Sequence, residues 1–147
     1  MERLRSIQDI LDYAIEKENE ASSFYKHLAE HVSRPELREA VEKFSADEFQ
    51  HKLHLEGVRD GEVELTPEEV GSLHIAEELD TVKPRESMSY KELLAFAIKQ
   101  EDAAQKLYSK LAQMTKRDKV KELFTLLAQE EARHKLNLEF EYDLATF

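Results

Sequence analysis

The chain carries one pattern of charged residues twice, at a fixed offset of 83 residues within its 147. Each copy consists of one glutamate followed later by a Glu-x-x-His pair: Glu18, Glu48 and His51 in the first copy, and Glu101, Glu131 and His134 in the second. We call these sets the first triad and the second triad. The residues around them repeat at the same offset without gaps, so that Tyr25 matches Tyr108. A duplicated helical hairpin is the simplest account of this repeat.

Apolar residues recur at alternating steps of three and four in four segments, which predicts four amphipathic helices. We expect them from Ser6 to about His31, from Ser33 to about Asp60, from Ser89 to about Met114, and from the break at Lys116 to about Tyr142. The serine at the start of each of the first three has an acid three residues later, as in a capping box. Gly61 is expected to end the second helix. Two such hairpins predict an all-α protein with a four-helix bundle.

We expect one domain over residues 1–147, made of a hairpin at 6–60, a crossover linker at 61–88 and a second hairpin at 89–142. The linker is rich in acidic residues, and Thr66-Pro67-Glu68-Glu69 is suited to start a short helix within it. A helix of about 26 residues is about 39 Å long, and a linker of this size spans that length, as a crossover requires. The same reach allows it to pass to a neighbouring subunit. We expect a homodimer, with or without domain swapping.

Composition excludes several classes of function. The net charge of −11, with no basic cluster, argues against a nucleic-acid partner. No apolar run approaches the roughly 18 residues that cross a membrane, and the N-terminus lacks the apolar core of a signal peptide, so we expect a cytoplasmic protein. The chain has no cysteine, which excludes disulfides, a thiolate nucleophile, and zinc or iron–sulfur centres held by thiolates. Any bound metal must therefore use oxygen and nitrogen ligands.

Both triads occupy core positions of the predicted helices, and the turns place them at one level. Residues at one height of an antiparallel hairpin are reflected across its turn. Glu18 and Glu48 are centred on position 33, and Glu101 and Glu131 on position 116, which are the two predicted breaks. Four buried carboxylates without compensation carry a large desolvation cost, and the core stripe contains no lysine or arginine. Two divalent cations balance them, and two imidazoles complete the ligand pattern of di-iron and di-manganese carboxylate proteins.

With this ligand pattern the chain resembles the ferritin-like superfamily, and within it a rubrerythrin without its rubredoxin domain, over residues 6–142. The resemblance implies a ferritin-like four-helix bundle that binds two iron ions, or manganese in their place, with no haem and no iron–sulfur cluster. It implies that Glu18 and Glu101 each bind a metal. Glu48 and Glu131 are implied to bridge the two metals, and each triad histidine to bind one of them.

Residues beside the triads carry further expectations. Tyr25 and Tyr108 lie two helical turns after the first glutamate of each triad, and are either hydrogen-bond partners of the metal ligands or plain core aromatics. Asp47 and Glu130 either orient the imidazoles or face solvent. The remaining histidines have no glutamate three residues before them and are expected at exposed positions: His27, His31, His54 and His74.

Two positions depart from the related patterns. Ala104 stands where rubrerythrins commonly have an additional acid, toward which one iron of the family moves when the redox state changes. Phe49 stands where bacterioferritins place a haem-binding methionine, so no haem is expected. The chain contains no cysteine-rich rubredoxin module, and electrons must therefore come from a separate donor such as a rubredoxin-like protein.

Three functions are compatible with this pattern. The leading interpretation is a rubrerythrin-like di-iron or di-manganese oxidoreductase that reduces hydrogen peroxide or dioxygen. The alternative is a ferroxidase or iron-binding protein for iron storage or transfer, where storage requires an enclosed assembly. A third is a structural or sensing module in which the metal stabilises the bundle. Ferritin-like bundles host oxidases, peroxidases, hydroxylases and stores, so the fold alone does not choose among these functions.

Overall fold

The computed structural model describes residues 7–62 and 88–145. They form two compact units, one within Met1–Val70 and one within Gly71–Phe147, and each is a helical hairpin. The helices are α1 (Ile7–Glu30), α2 (Pro35–Gly57), α3 (Tyr90–Met114) and α4 (Asp118–Ala145), and a π-helical turn (Val58–Glu62) follows α2. All regular structure in these two ranges is helical, as predicted. The division of the chain into a single domain over 1–147 stays a prediction.

Two features of the sequence analysis lie outside the described residues. They are the cap at Ser6 and most of the linker, including the short helix expected at Thr66-Pro67-Glu68-Glu69. Among the helices that the structure describes, none has an apolar stretch long enough to span a bilayer.

The turn of the first hairpin differs from the prediction by one residue. Arg34, not Ser33, is the N-cap of α2; its backbone is extended (φ −77°, ψ 123°) and its side chain forms no capping hydrogen bond. Pro35 explains the shift, because a residue that precedes proline is pushed out of the helical region and proline itself suits the first helical position. The turn is fastened by Arg38, whose guanidinium donates hydrogen bonds of 3.0 and 2.8 Å to the Val32 carbonyl.

The far end of the first hairpin is wound more widely than an α-helix. The chain continues past Gly57 through the π-helical turn, inside which Gly61 has a φ of +98°. Residues with a β-carbon rarely adopt this conformation, so the expected break at Gly61 is a true departure from helical geometry. Arg59 in this turn forms a 3.2 Å ion pair with Asp12 of α1, which joins the two helices at their open end.

The second hairpin begins as predicted. Ser89 and Glu92 form a reciprocal capping box, with both hydrogen bonds 3.2 Å long. The α3 helix ends at Met114, and the extended residue Thr115 opens the turn near Lys116. The α4 helix then runs to Ala145, three residues beyond the expected end at Tyr142.

The hairpins share their plan but differ in packing. Tyr25 packs edge-on against Phe44 of α2, with ring centroids 5.6 Å apart. Its repeat counterpart Tyr108 instead stacks on Phe124 of α4, at 6.3 Å. The aromatic partner has moved by one helical turn, because Leu127 occupies the position that corresponds to Phe44. Both tyrosines are 1% exposed and form part of the core.

Candidate metal centre

The first triad joins the two helices of the first hairpin. Glu18 lies on α1, while Glu48 and His51 lie on one face of α2 because helical neighbours three residues apart are adjacent. All three are buried, at 1–2% exposure. The Nδ1 atom of His51 is 3.3 Å from Oε2 of Glu18 and 3.6 Å from Oε1 of Glu48. One imidazole nitrogen therefore faces two carboxylates from different helices.

The second triad has the same construction. Glu101 lies on α3, Glu131 and His134 lie on α4, and all three are buried at 1–2% exposure. The Nδ1 atom of His134 is 3.7 Å from Oε2 of Glu101. Within each triad, one donor atom from each residue lies within 4.8 Å of the others. The structure thus brings together, hairpin by hairpin, the residues that the repeat singled out.

These separations fit donors that share a metal ion. Divalent metals such as zinc bind nitrogen and oxygen at about 2.1 Å, so two donors that subtend about 90–125° at one ion lie about 3.0–3.7 Å apart. The three measured nitrogen–oxygen distances, 3.3, 3.6 and 3.7 Å, fall within that interval. Imidazole and carboxylate together suit iron, manganese and zinc. The donor set therefore fits the metals that the sequence predicted.

The electrostatics of the core support the same conclusion. Among the described residues, the buried polar side chains are those of the two triads and Thr115. Four of them are carboxylic acids, and a buried carboxylate is costly unless it is paired or coordinates a metal. All the charged side chains among these buried residues belong to the two triads, so the buried charge is concentrated there.

An ion network lies directly beside the second triad. The Lys135 ammonium donates a 2.8 Å hydrogen bond to Oδ1 of Asp102 and thereby joins α4 to α3. Lys106 contacts the other carboxylate oxygen, also at 2.8 Å. The hydrogen bonds from Lys106 and Lys135 lower the pKa of Asp102, and the bond to Asp102 raises the pKa of Lys135. The sequence analysis did not find this network, although the signal was present as a difference between the repeats, since Asn19 corresponds to Asp102.

The other expected neighbours lie as follows. Tyr25 and Tyr108 are buried, and their role as partners of the ligands stays a prediction. Asp47 and Glu130 are half-buried, and Phe49 is 43% exposed. Of the histidines outside the triads, three are exposed, namely His27, His31 and His54. The fourth, His74, lies outside the described residues.

Duplicated helical hairpins that each bury a Glu/Glu/His triad define the class of ferritin-like carboxylate proteins. The chain belongs to the rubrerythrin family, whose model matches residues 9–83 and 92–143. The predicted resemblance and the predicted ferritin-like four-helix fold class are confirmed. Family membership implies binding of a di-iron centre, and each hairpin buries a cluster of carboxylates and a histidine.

One solved structure shows the same fold. A hypothetical protein from Pyrococcus furiosus is similar with a TM-score of 0.73 and 26% sequence identity, over 95% of this chain and 89% of that one. No curated protein matches the sequence.

Proposed function

We propose that the two triads together bind two iron ions, and that the protein is an oxidoreductase that reduces hydrogen peroxide or dioxygen. The observation that carries this proposal is the presence of two buried Glu/Glu/His triads with metal-compatible donor spacing. Membership of the rubrerythrin family supports it. Manganese in place of iron is compatible with the same donors.

Each residue of the triads has a proposed role. Glu18 and Glu101 would hold one metal each, and Glu48 and Glu131 would be shared between the two metals. His51 and His134 would bind through Nδ1, the nitrogen that faces the carboxylate oxygens. Two iron ions held there as Fe(II) would supply one electron each, and these electrons, with two protons, would convert peroxide to two water molecules. The apolar surroundings exclude bulk water and fix the ligands before the oxidant arrives.

The protein chain contributes binding, orientation and insulation, and a partner must contribute electrons. No cysteine is present to hold an iron–sulfur centre, so a separate carrier such as a rubredoxin-like protein would re-reduce the site. We further propose that the protein is a cytoplasmic homodimer. The Tyr25 and Tyr108 hydroxyls are proposed to donate hydrogen bonds to ligand carboxylates, because an ordered donor fixes a ligand's orientation.

The test is rapid mixing of the anaerobically iron-loaded protein with peroxide, with metal content measured on the same preparation. We expect two metal ions per chain, fast oxidation, and repeated turnover when a reductant is added. Glu131→Ala should lose both bound metal and oxidation, whereas Glu122→Ala, on an exposed position of the same helix, should retain them. Equal oxidation rates in Glu131→Ala and the unaltered protein would overturn the proposal.

The alternative, iron storage or transfer, uses the same six ligands and is separated by what happens to excess iron. A storage protein would oxidise many ferrous ions per chain with dioxygen and retain them in a large assembly. Light scattering on the iron-loaded protein distinguishes such an assembly from a dimer. Manganese found by metal analysis of the purified protein would favour the di-manganese form of the leading proposal.

A further inference from the structure

The two hairpins match at their ligands but differ beside them. In the second hairpin, Asp102 follows the ligand position Glu101 and Lys135 follows His134. These two neighbours are joined by a 2.8 Å charge-assisted hydrogen bond across α3 and α4. Lys106 contacts the second oxygen of Asp102 at 2.8 Å, so both carboxylate oxygens are engaged.

The first hairpin lacks the acid and one of the two lysines at the equivalent positions. Asn19 corresponds to Asp102 and Ser23 to Lys106, while the lysine is retained as Lys52. Within the described first hairpin, no hydrogen bond or ion pair joins Asn19 to Lys52, and the ammonium of Lys52 lies 5.4 Å from the centroid of the Phe49 ring. The residue next to His51 is therefore not fastened to the opposite helix in the way that the residue next to His134 is.

The first hairpin is fastened elsewhere. Ser22 and Ser45 exchange hydrogen bonds, each hydroxyl donating to the other residue's carbonyl oxygen at 2.9 and 2.7 Å. These serines lie one turn from Glu18 and Glu48, but Ser45 is six residues before His51. The serine bonds join α1 and α2 on the turn side of the first triad, and the Arg59–Asp12 ion pair joins them eight residues beyond His51. Neither link is made by the residue that follows the histidine.

From this difference we propose that the Asp102–Lys135 pair positions the second triad, so that the metal position served by His134 binds its ion more tightly than the one served by His51. The proposal rests on the proposed function, because it requires both triads to bind metal. Its physical reason is preorganisation: charge-assisted bonds are the stronger ones, and groups that orient metal ligands typically change metal affinity about 10- to 100-fold. Asp102 is a positioning residue that acts through the adjacent ligands.

The chain provides a reciprocal test. Asp102→Asn removes the link beside His134, and Asn19→Asp should create its counterpart, because Lys52 occupies the position that corresponds to Lys135. Isothermal titration of the metal-free protein with Co²⁺ should show two binding steps of different affinity in the unaltered protein. His134→Gln should remove the tighter step and His51→Gln the weaker one, which assigns each step to a position.

We expect Asp102→Asn to weaken the tighter step about tenfold and Asn19→Asp to strengthen the weaker step by a similar factor. Asp102→Glu, which can still reach Lys135, should recover part of the lost affinity. A merely structural role would lower both constants together, and that result, or unchanged constants in both variants, would overturn the proposal. Failure of the unaltered protein to bind two ions would instead overturn the proposed function on which it rests.

Discussion

Replacing Glu101 by leucine separates the cost of a buried carboxylate from the benefit of the metal that it binds. Glu101 is 2% exposed, and Nδ1 of His134 is 3.7 Å from its Oε2. Keeping a glutamate protonated at neutral pH costs about 4 kcal/mol, given an ordinary pKa near 4.3, and keeping it ionised in an apolar site costs at least several kcal/mol of desolvation. Leucine has a similar volume and removes that cost.

The expected gain is smaller than the gross cost, because the histidine and other neighbours compensate part of it. Replacement of a whole buried ion pair by apolar residues of similar volume stabilises proteins by about 1–4 kcal/mol, whereas removal of one partner destabilises them. Here four buried carboxylates outnumber two buried imidazoles, so Glu101→Leu removes a carboxylate in excess, and we expect a gain of about 2 kcal/mol without metal. With a urea m-value of about 2 kcal/mol/M, the unfolding midpoint should rise by about 1 M. Glu18→Leu should gain less, because Glu18 is closer to its histidine, at 3.3 Å.

The assay is urea unfolding followed by far-UV circular dichroism, once with a chelator and once with excess metal. In metal, the order should reverse: the unaltered protein gains about 4.1 kcal/mol when the free ion is at a thousand times its dissociation constant. This exceeds the gain from Glu101→Leu, and the variant forfeits most of the metal's contribution. Glu122→Leu, on the exposed face of α4, is the control and should change little in either condition. A Glu101→Leu protein that is less stable than the unaltered one in chelator would refute the reasoning.

Three further predictions concern single residues. Gly61→Ala should destabilise the protein by about 1–2 kcal/mol, because alanine is strained at the glycine's φ of +98°. No atom lies within 4 Å of the added carbon, so the cost comes from the backbone conformation alone. An unchanged thermal midpoint would contradict this prediction. Ser89→Ala should cost about 1 kcal/mol by removing the α3 capping box, and Ser89→Asp should keep most of it. If the hydroxyls of Tyr25 and Tyr108 orient the metal ligands, Tyr25→Phe and Tyr108→Phe should each weaken metal binding about tenfold and change the metal-free stability little. Unchanged metal titration curves would instead identify the two tyrosines as plain core aromatics.

Local rules predicted most of the helix boundaries, and they were wrong where two rules competed. The capping box at Ser89 and Glu92 formed as expected, since nothing nearby opposed it. At Ser33 the same pattern did not form a cap, because Pro35 restricts the residue before it and makes Arg34 the N-cap. A capping motif followed closely by proline should therefore be placed by the proline rather than by the serine.

The triads were predictable because periodicity and the repeat specify which residues face inward. The Asp102–Lys135 bond was not predicted. The change from Asn19 to Asp102 between the repeats marks the position, but helical spacing does not state which half-buried polar residues meet across a hairpin. For the same reason, the sequence did not show that Tyr25 packs against Phe44 while Tyr108 stacks on Phe124, one helical turn away from the equivalent position. Apolar positions of one stripe are interchangeable in a pattern, while their ring contacts depend on packing in three dimensions.

The repeat keeps the triads in register for a geometric reason that does not apply to their supports. Moving a ligand by one residue along a helix would rotate its side chain by about 100° around the helix axis. The side chain would then point away from the other donors, so the three-residue spacing of Glu131 and His134 must be kept for both to bind one ion. Two helices can be joined in many ways, by reciprocal serine bonds as at Ser22 and Ser45 or by an ion pair beside His134. After duplication, the residues that join the two helices of each hairpin can therefore change while the ligands stay the same. Because these residues determine how firmly each ligand is held, two halves with identical donors need not bind their metal ions with equal affinity.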